Sequence, residues 1–233
     1  MRMSPELWWK SGGFSGIAFV VLFVIGFILQ IDGPMVDDSG AEIKQYFIDD
    51  GSKYILGDIL IGIGFVFFFL TFVWALSEFI GAGEPVGQKW SRLILVYGAI
   101  STAVGFGFSM MNAGLAYGAA EFADENTAKA LFYSGFVGLM VGPPLLVSGL
   151  TLTVGIAILR HGMFPKWIAW LSLVIALLGL ISVFGLLMDD PENMLSMLGA
   201  LAFLLWAVWT LALSFYMLKA EAAPEPVTVV IVA

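Results

Sequence analysis

The chain has 233 residues, of which 60% are hydrophobic and only 12% charged, with a mean hydropathy of +0.97 and a net charge of −8. Soluble domains carry about a quarter charged residues, so this composition excludes an ordinary water-soluble fold, and the acidic balance disfavours nucleic acid and other anionic partners. The absence of cysteine excludes disulfides, thiol nucleophiles and iron–sulfur ligation.

A helix that spans hydrocarbon needs about 20 apolar residues, and six stretches qualify: Gly13–Ile31, Tyr54–Ala82, Leu93–Ala119, Ala130–Arg160, Trp167–Met188 and Leu195–Leu218. Ahead of the first, Trp8 and Trp9 beside Lys10 read as an interfacial anchor. That first apolar run ends without a small-x-small cleavage pattern, which predicts a retained helix rather than a signal peptide.

The loop Asp32 to Lys53 is the only long one. Ser39-Gly40-Ala41-Glu42 has the spacing of a capping box, and Ile43, Tyr46 and Phe47 behind it fall at i, i+3, i+4. This predicts a short amphipathic helix on the outer rim with Asp49 and Asp50 facing water. A lid over an outer cavity is the second reading of the same stretch.

Inside the spans only two ionisable residues qualify, both in the second. Asp58 lies about one turn below the outer boundary, and Glu78 about one turn above the inner end, where Arg92 or Lys89 is placed to pair with it. The third span carries Gly98, Ser101, Gly105, Ser109 and Asn112 at helical spacing. Similar stripes recur in the fourth (Ser134, Gly138, Gly142), the fifth (Ser172, Ala176, Gly179, Ser182) and the sixth (Ser196, Ala200, Phe203, Ala207, Thr210, Ser214). Such stripes let membrane helices approach closely.

Pro143-Pro144 falls near the middle of the fourth span. Neither residue donates an N–H, and each ring displaces the carbonyl four residues earlier. A kink or break follows, read either as a packed kink or as a hinge at Pro143 and Pro144. The tail Ala220–Ala233, with Pro224 and Pro226, is too short to span. It reads as a disordered end or a strand-like patch for a partner.

Orientation follows from charge. With a cytoplasmic N-terminus the inner loops hold seven basic residues (Arg2, Lys10, Lys89, Arg92, Arg160, Lys166, Lys219) against Lys44, Lys53 and Lys129 outside. The positive-inside rule then predicts cytoplasmic N- and C-termini. The acids collect outside, from Asp32 through Glu125 to Asp189, Asp190 and Glu192. The loops after the second span are tight, so consecutive helices should be antiparallel neighbours in an up-and-down bundle.

Little chemistry is present in the spans. His161 is the sole histidine, no lysine occupies a span centre, and there is no P-loop, Gly-x-Ser-x-Gly or His-Glu-x-x-His. The expectation is a chain without catalytic residues, cofactor or metal. Intramembrane ionisable groups are nevertheless functional candidates by default. Asp58 shares the outer layer with Gln30 and Asn112, and where their helices converge the three would line a shallow polar pocket open outward.

The turn Leu159-Arg160-His161-Gly162-Met163-Phe164-Pro165-Lys166-Trp167 has the pattern Arg-x-Gly-x-x-Pro-x-Trp. Together with the acidic first loop and its Ala-Glu-Ile-Lys-Gln-Tyr-Phe segment, it resembles a widespread group of bacterial six-span membrane proteins of unknown function. The resemblance implies the fold and carries no catalytic residue.

The expected protein is therefore an all-α, six-helix bundle over residues 1–219 with a cytoplasmic tail at 220–233, in a bacterial plasma membrane. The first functional expectation is a non-catalytic structural or accessory subunit that meets a membrane-protein partner through helix faces or the tail. The alternative is a small transporter, channel or hydrophobic-ligand binder using the outward pocket.

Overall fold

A computed structural model describes residues 4–85, 89–188 and 194–220. Asp189, Asp190 and Glu192 of the last acidic loop, and the tail beyond Ala220, lie outside the described residues. The apolar stretches form six helices: α1 (Pro5–Leu29), α2 (Gly40–Ala82), α3 (Trp90–Glu121), α4 (Glu125–His161), α5 (Lys166–Ser182) and α6 (Met194–Lys219). A 3₁₀ turn, Val183–Leu187, extends α5. All six are long and apolar enough to cross a membrane, and no strand occurs among the described residues.

Local chemistry sets the ends. The Ser4 hydroxyl accepts from Leu7 N at 3.3 Å with Pro5 in the first turn, and Asp124 accepts from Thr127 N at 2.7 Å. These are N-caps that satisfy otherwise orphaned amide groups. Gly162, with φ of 69°, closes α4 in the left-handed conformation that a side chain would disfavour. Pro165 then supplies the extended residue before α5. The turn motif thus has a structural explanation: Arg160 lies over the Trp90 ring at 5.1 Å, and buried Phe164 packs on Phe79 at 5.0 Å.

Each helix packs against the next, and α6 returns to α1, closing a ring. Small residues allow the close approaches. A Cβ on Gly26 would stand 2.7 Å from the Gly57 carbonyl oxygen, and a Cβ on Gly105 would stand 2.7 Å from the Phe65 ring. Gly98 meets Val73, Gly155 meets Ser172, and Gly16 meets Ser214 in the same manner. Without a hydrophobic drive between helices in lipid, such contacts are what holds the bundle.

The middle of the bundle is filled by rings. Phe19 sits 4.9 Å from Phe69 and 5.4 Å from Trp206, and Phe69 sits 5.3 Å from Trp206. A π-helical stretch, Gly64–Phe69, interrupts α2 at this level and places Phe65 and Phe69 inward. Trp209 is fully buried and donates from Nε1 to Ser172 Oγ at 2.7 Å.

Three helices outgrow the bilayer. At about 1.5 Å per residue, the 43 residues of α2 and the 37 of α4 are about 64 and 55 Å long, against a hydrocarbon layer of about 30 Å. The excess lies at the acidic end, where α2, α3 and α4 form a small head. Its core is Ile43, Phe47, Leu115 and Ala116, with Phe132 packed against them. Lys44 Nζ donates to Ala123 O at 2.7 Å and Lys129 Nζ to Asp38 O at 2.8 Å, tying the head's connections together.

The structure departs from the sequence expectations in two places. The capping box at Ser39 and Glu42 forms, but the amphipathic stretch runs unbroken into the second span, so it continues the axis of α2 rather than lying on the rim. Gly51 and Ser52 cost only about 1 kcal/mol or less as helix residues, too little to break it while Ile43 and Phe47 are buried. Trp9 is a core residue, 3% exposed and 5.1 Å from Phe79, rather than an interfacial anchor, although Trp167 and Trp170 remain exposed. Of the kink or break expected at Pro143 and Pro144, the break does not form, since α4 runs through both as one helix.

Candidate functional site at the acidic end

Asp58 stands on α2 one turn below the head and is 2% exposed, the one acid buried among the described residues. Counting about 1.5 Å per residue from Ala82, about 30 Å of hydrocarbon ends near residue 62. Asp58 therefore lies near the outer end of the membrane-length stretch of α2, enclosed by protein.

Its polar neighbour comes from α1. The Gln30 side chain comes up beside Asp58 and donates from Nε2 to Tyr54 O at 3.2 Å. Gly57 makes the approach possible, because a Cβ there would lie 2.9 Å from Gln30 Cγ. Asp58 Oδ2 has no hydrogen-bond partner. A buried polar atom in that condition is uncommon and calls for an explanation.

A roof covers this pair. The Tyr54 ring lies under Gly33, 6.2 Å from the Tyr46 ring, and the buried Tyr46 hydroxyl also lacks a partner. Beside it Lys53 Nζ reaches Asp32 at 3.2 Å, joining α2 to the segment after α1.

Of the three residues expected to share a pocket, the fold brings Gln30 and Asp58 together. Asn112 is half-buried and faces α4, its Oδ1 2.9 Å from where a Cβ on Gly135 would stand. Among the described residues no hydrogen bond joins it to the other two. The expected hinge lies elsewhere. Pro143 and Pro144 are half-buried at mid-helix, and a Cβ on Gly179 of α5 would lie 3.1 Å from the Pro144 carbonyl oxygen.

Sequence reasoning missed the roof. Tyr46 was legible only as part of an apolar stripe and Tyr54 only as the first residue of the second span. The Asp32–Lys53 pair, 21 residues apart, has no local signature.

At the opposite, basic end, Glu78 accepts from Trp74 Nε1 at 2.9 Å and makes no ion pair with Arg92 or Lys89 among the described residues. Glu78 and Arg92 instead line a shallow open cleft of about 330 Å³ with Ser77, Ser91 and Leu95. Glu84 accepts from both Ser91 N and Ser91 Oγ, at 2.8 and 2.9 Å, fixing the start of α3.

A ring of six membrane-length apolar helices defines the molecule as a multi-pass helical membrane protein. More particularly, the chain belongs to the DUF4386 family, a domain of unknown function whose description covers residues 14–220. This agrees with the resemblance to six-span membrane proteins of unknown function. No curated protein and no solved structure matches the chain.

Proposed function

We propose that the protein is a non-catalytic integral membrane protein of a bacterial plasma membrane, acting as a structural or accessory subunit, with one membrane domain over residues 1–219 and its basic end in the cytoplasm. The observation that supports this reading best is the aromatic filling of the bundle: Phe19, Phe69 and Trp206 interlock at ring distances of 4.9 to 5.4 Å where a transport path would run. Large apolar side chains such as Phe14, Phe67 and Leu204 face outward instead, so lipid or a partner helix meets the chain on its outside. Purification in mild detergent tests the reading. A stoichiometric membrane-protein partner supports it, and a monodisperse lone chain carrying a bound lipid or solute overturns it.

One observation favours a second reading, a binder or transporter with a polar pocket opening at the acidic end: the unpartnered Oδ2 of buried Asp58 beside Gln30. On that reading Asp58→Asn changes solute binding or flux while leaving folded yield near wild type, because the amide keeps the shape and removes only charge. Unchanged binding and flux with a stable fold would remove the pocket.

A further inference from the structure

The polar atoms around Asp58 constrain what such a pocket accepts. The carboxyl belongs to a side chain that is 2% exposed, and Oδ2 receives no hydrogen bond. Burying an ionised carboxylate is costly unless an opposite charge or a full set of donors compensates it. The neighbouring amide, Gln30, gives Nε2 to Tyr54 O.

The basic side chains of this end are all committed. Lys53 pairs with Asp32, Lys44 holds the Ala123 carbonyl and Lys129 holds the Asp38 carbonyl. From α3, Ser109 lies at the neighbouring level against Gly62 and gives its hydroxyl to Gly105 O, and Asn112 faces α4. From α2 itself, Tyr54 and Tyr46 roof the site and carry no positive charge. None of the described side chains around Asp58 supplies the compensating charge.

We infer that Asp58 and Gln30 form a binding site for one monovalent cation, a proton or an alkali-metal ion, taken up from the aqueous side at the acidic end. This rests on the pocket reading above and names its ligand. The charge balance selects a monovalent ion, since Asp58 is the one acid buried among the described residues and Asp32 is tied to Lys53. An oxygen donor stands ready: Asp58 Oδ2 is buried and has no hydrogen-bond partner. The supply side fits too. Asp32, Asp37, Asp38, Glu42, Asp49 and Asp50 crowd the adjoining segment, and a surface of one sign raises the local concentration of counter-ions.

Two measurements on the purified full-length protein in mild detergent test this. The first is the unfolding midpoint in sodium, potassium and choline chlorides at matched ionic strength, repeated from acid to neutral pH. The second is reaction with dicyclohexylcarbodiimide, which adds to protonated carboxyl groups in apolar settings, followed by mass analysis of the peptide containing Asp58. A midpoint raised by sodium or potassium over choline, with the Asp58 adduct suppressed by the same ion, identifies an alkali ion. An adduct that grows as pH falls and ignores alkali ions identifies a proton. Asp58→Asn should abolish the response and the adduct. Where that variant does not fold, the wild-type adduct still decides the matter. A flat midpoint with no adduct overturns the inference, as does an ion response that Asp58→Asn retains in full. A cysteine placed at Gln30 separates the two levels of the argument. Its reaction with an impermeant thiol reagent, beside a flat ion response of the unsubstituted protein, keeps the pocket and removes the cation, whereas no reaction there removes both.

Discussion

The membrane-embedded body and the acidic head are built on different principles. In the body, helices meet through glycine and serine, and the space between them is filled by fully buried rings such as Phe69, Phe72 and Trp209. In the head, a core of four buried residues is supplemented by side-chain hydrogen bonds from lysines to carbonyls and by a carboxylate cap. Polar groups without partners occur in both, but the buried acid, Asp58, lies where the two meet. The contrast teaches that mutations in the body should act on folding, while mutations at the junction should act on what the protein binds.

The sharpest way to break this contrast is to empty the body. Trp209→Ala removes a fully buried indole and its bond to Ser172, so a loss of about 3–5 kcal/mol is expected, read as collapse of folded yield or of the unfolding midpoint. A near-wild-type midpoint would show that the rings do not carry the fold. Next comes overfilling. A side chain at Gly98 meets Val73 directly, and Gly98→Leu should cost about 1–3 kcal/mol or more by prising α3 from α2. Distance measurements between spin labels on the two helices would detect the separation.

In the head, Phe47→Ala exposes a satellite core worth about 1.5–3 kcal/mol. Hydrogen exchange should speed up over 40–53 and 112–132 and stay unchanged in α5 and α6. A uniform change along the chain would mean that head and body unfold as one. The smallest effect concerns Asp124. The Thr127 backbone amide, then the Thr127 side chain, holds the Asp124 carboxyl below its ordinary range. A carboxyl lowered by folding stabilises above its unfolded value, and the contribution is lost as pH falls through the folded one. Acid should therefore fray the start of α4, and Asp124→Asn should remove that pH dependence from amide exchange at Thr127.

Six spans were legible because apolar runs of 19 residues or more admit little else, and the capping box at Ser39 and Glu42 was legible because it is local. The length of α2 was not. A polar, amphipathic stretch before Tyr54 resembles a separate surface helix until Leu115, Ala116 and Phe132 arrive from distant parts of the chain to bury Ile43 and Phe47. Trp9 misled for a related reason: tryptophan beside lysine marks a membrane boundary on average, but only tertiary contact with Phe79 shows which side of the helix it takes. At the site, Asp58 and Gln30 were identifiable as rare polar residues at one depth. Their juxtaposition depends on the Gly26–Gly57 contact between α1 and α2, and Asn112 shares their level but faces another helix. Depth is written in the sequence, while rotation about the helix axis is set by packing.

The most direct test of the account is sidedness, and the absence of native cysteine makes it clean. Single cysteines replace the exposed residues Asp37 and Glu125 at the acidic end and Lys89 and Lys166 at the basic end, and intact cells are treated with an impermeant thiol reagent. Six crossings with the acidic end outside predict labelling at 37 and 125, and none at 89 and 166 until the membrane is opened. The reverse pattern would contradict the proposed orientation, and labelling at both ends would contradict the six-span bundle itself.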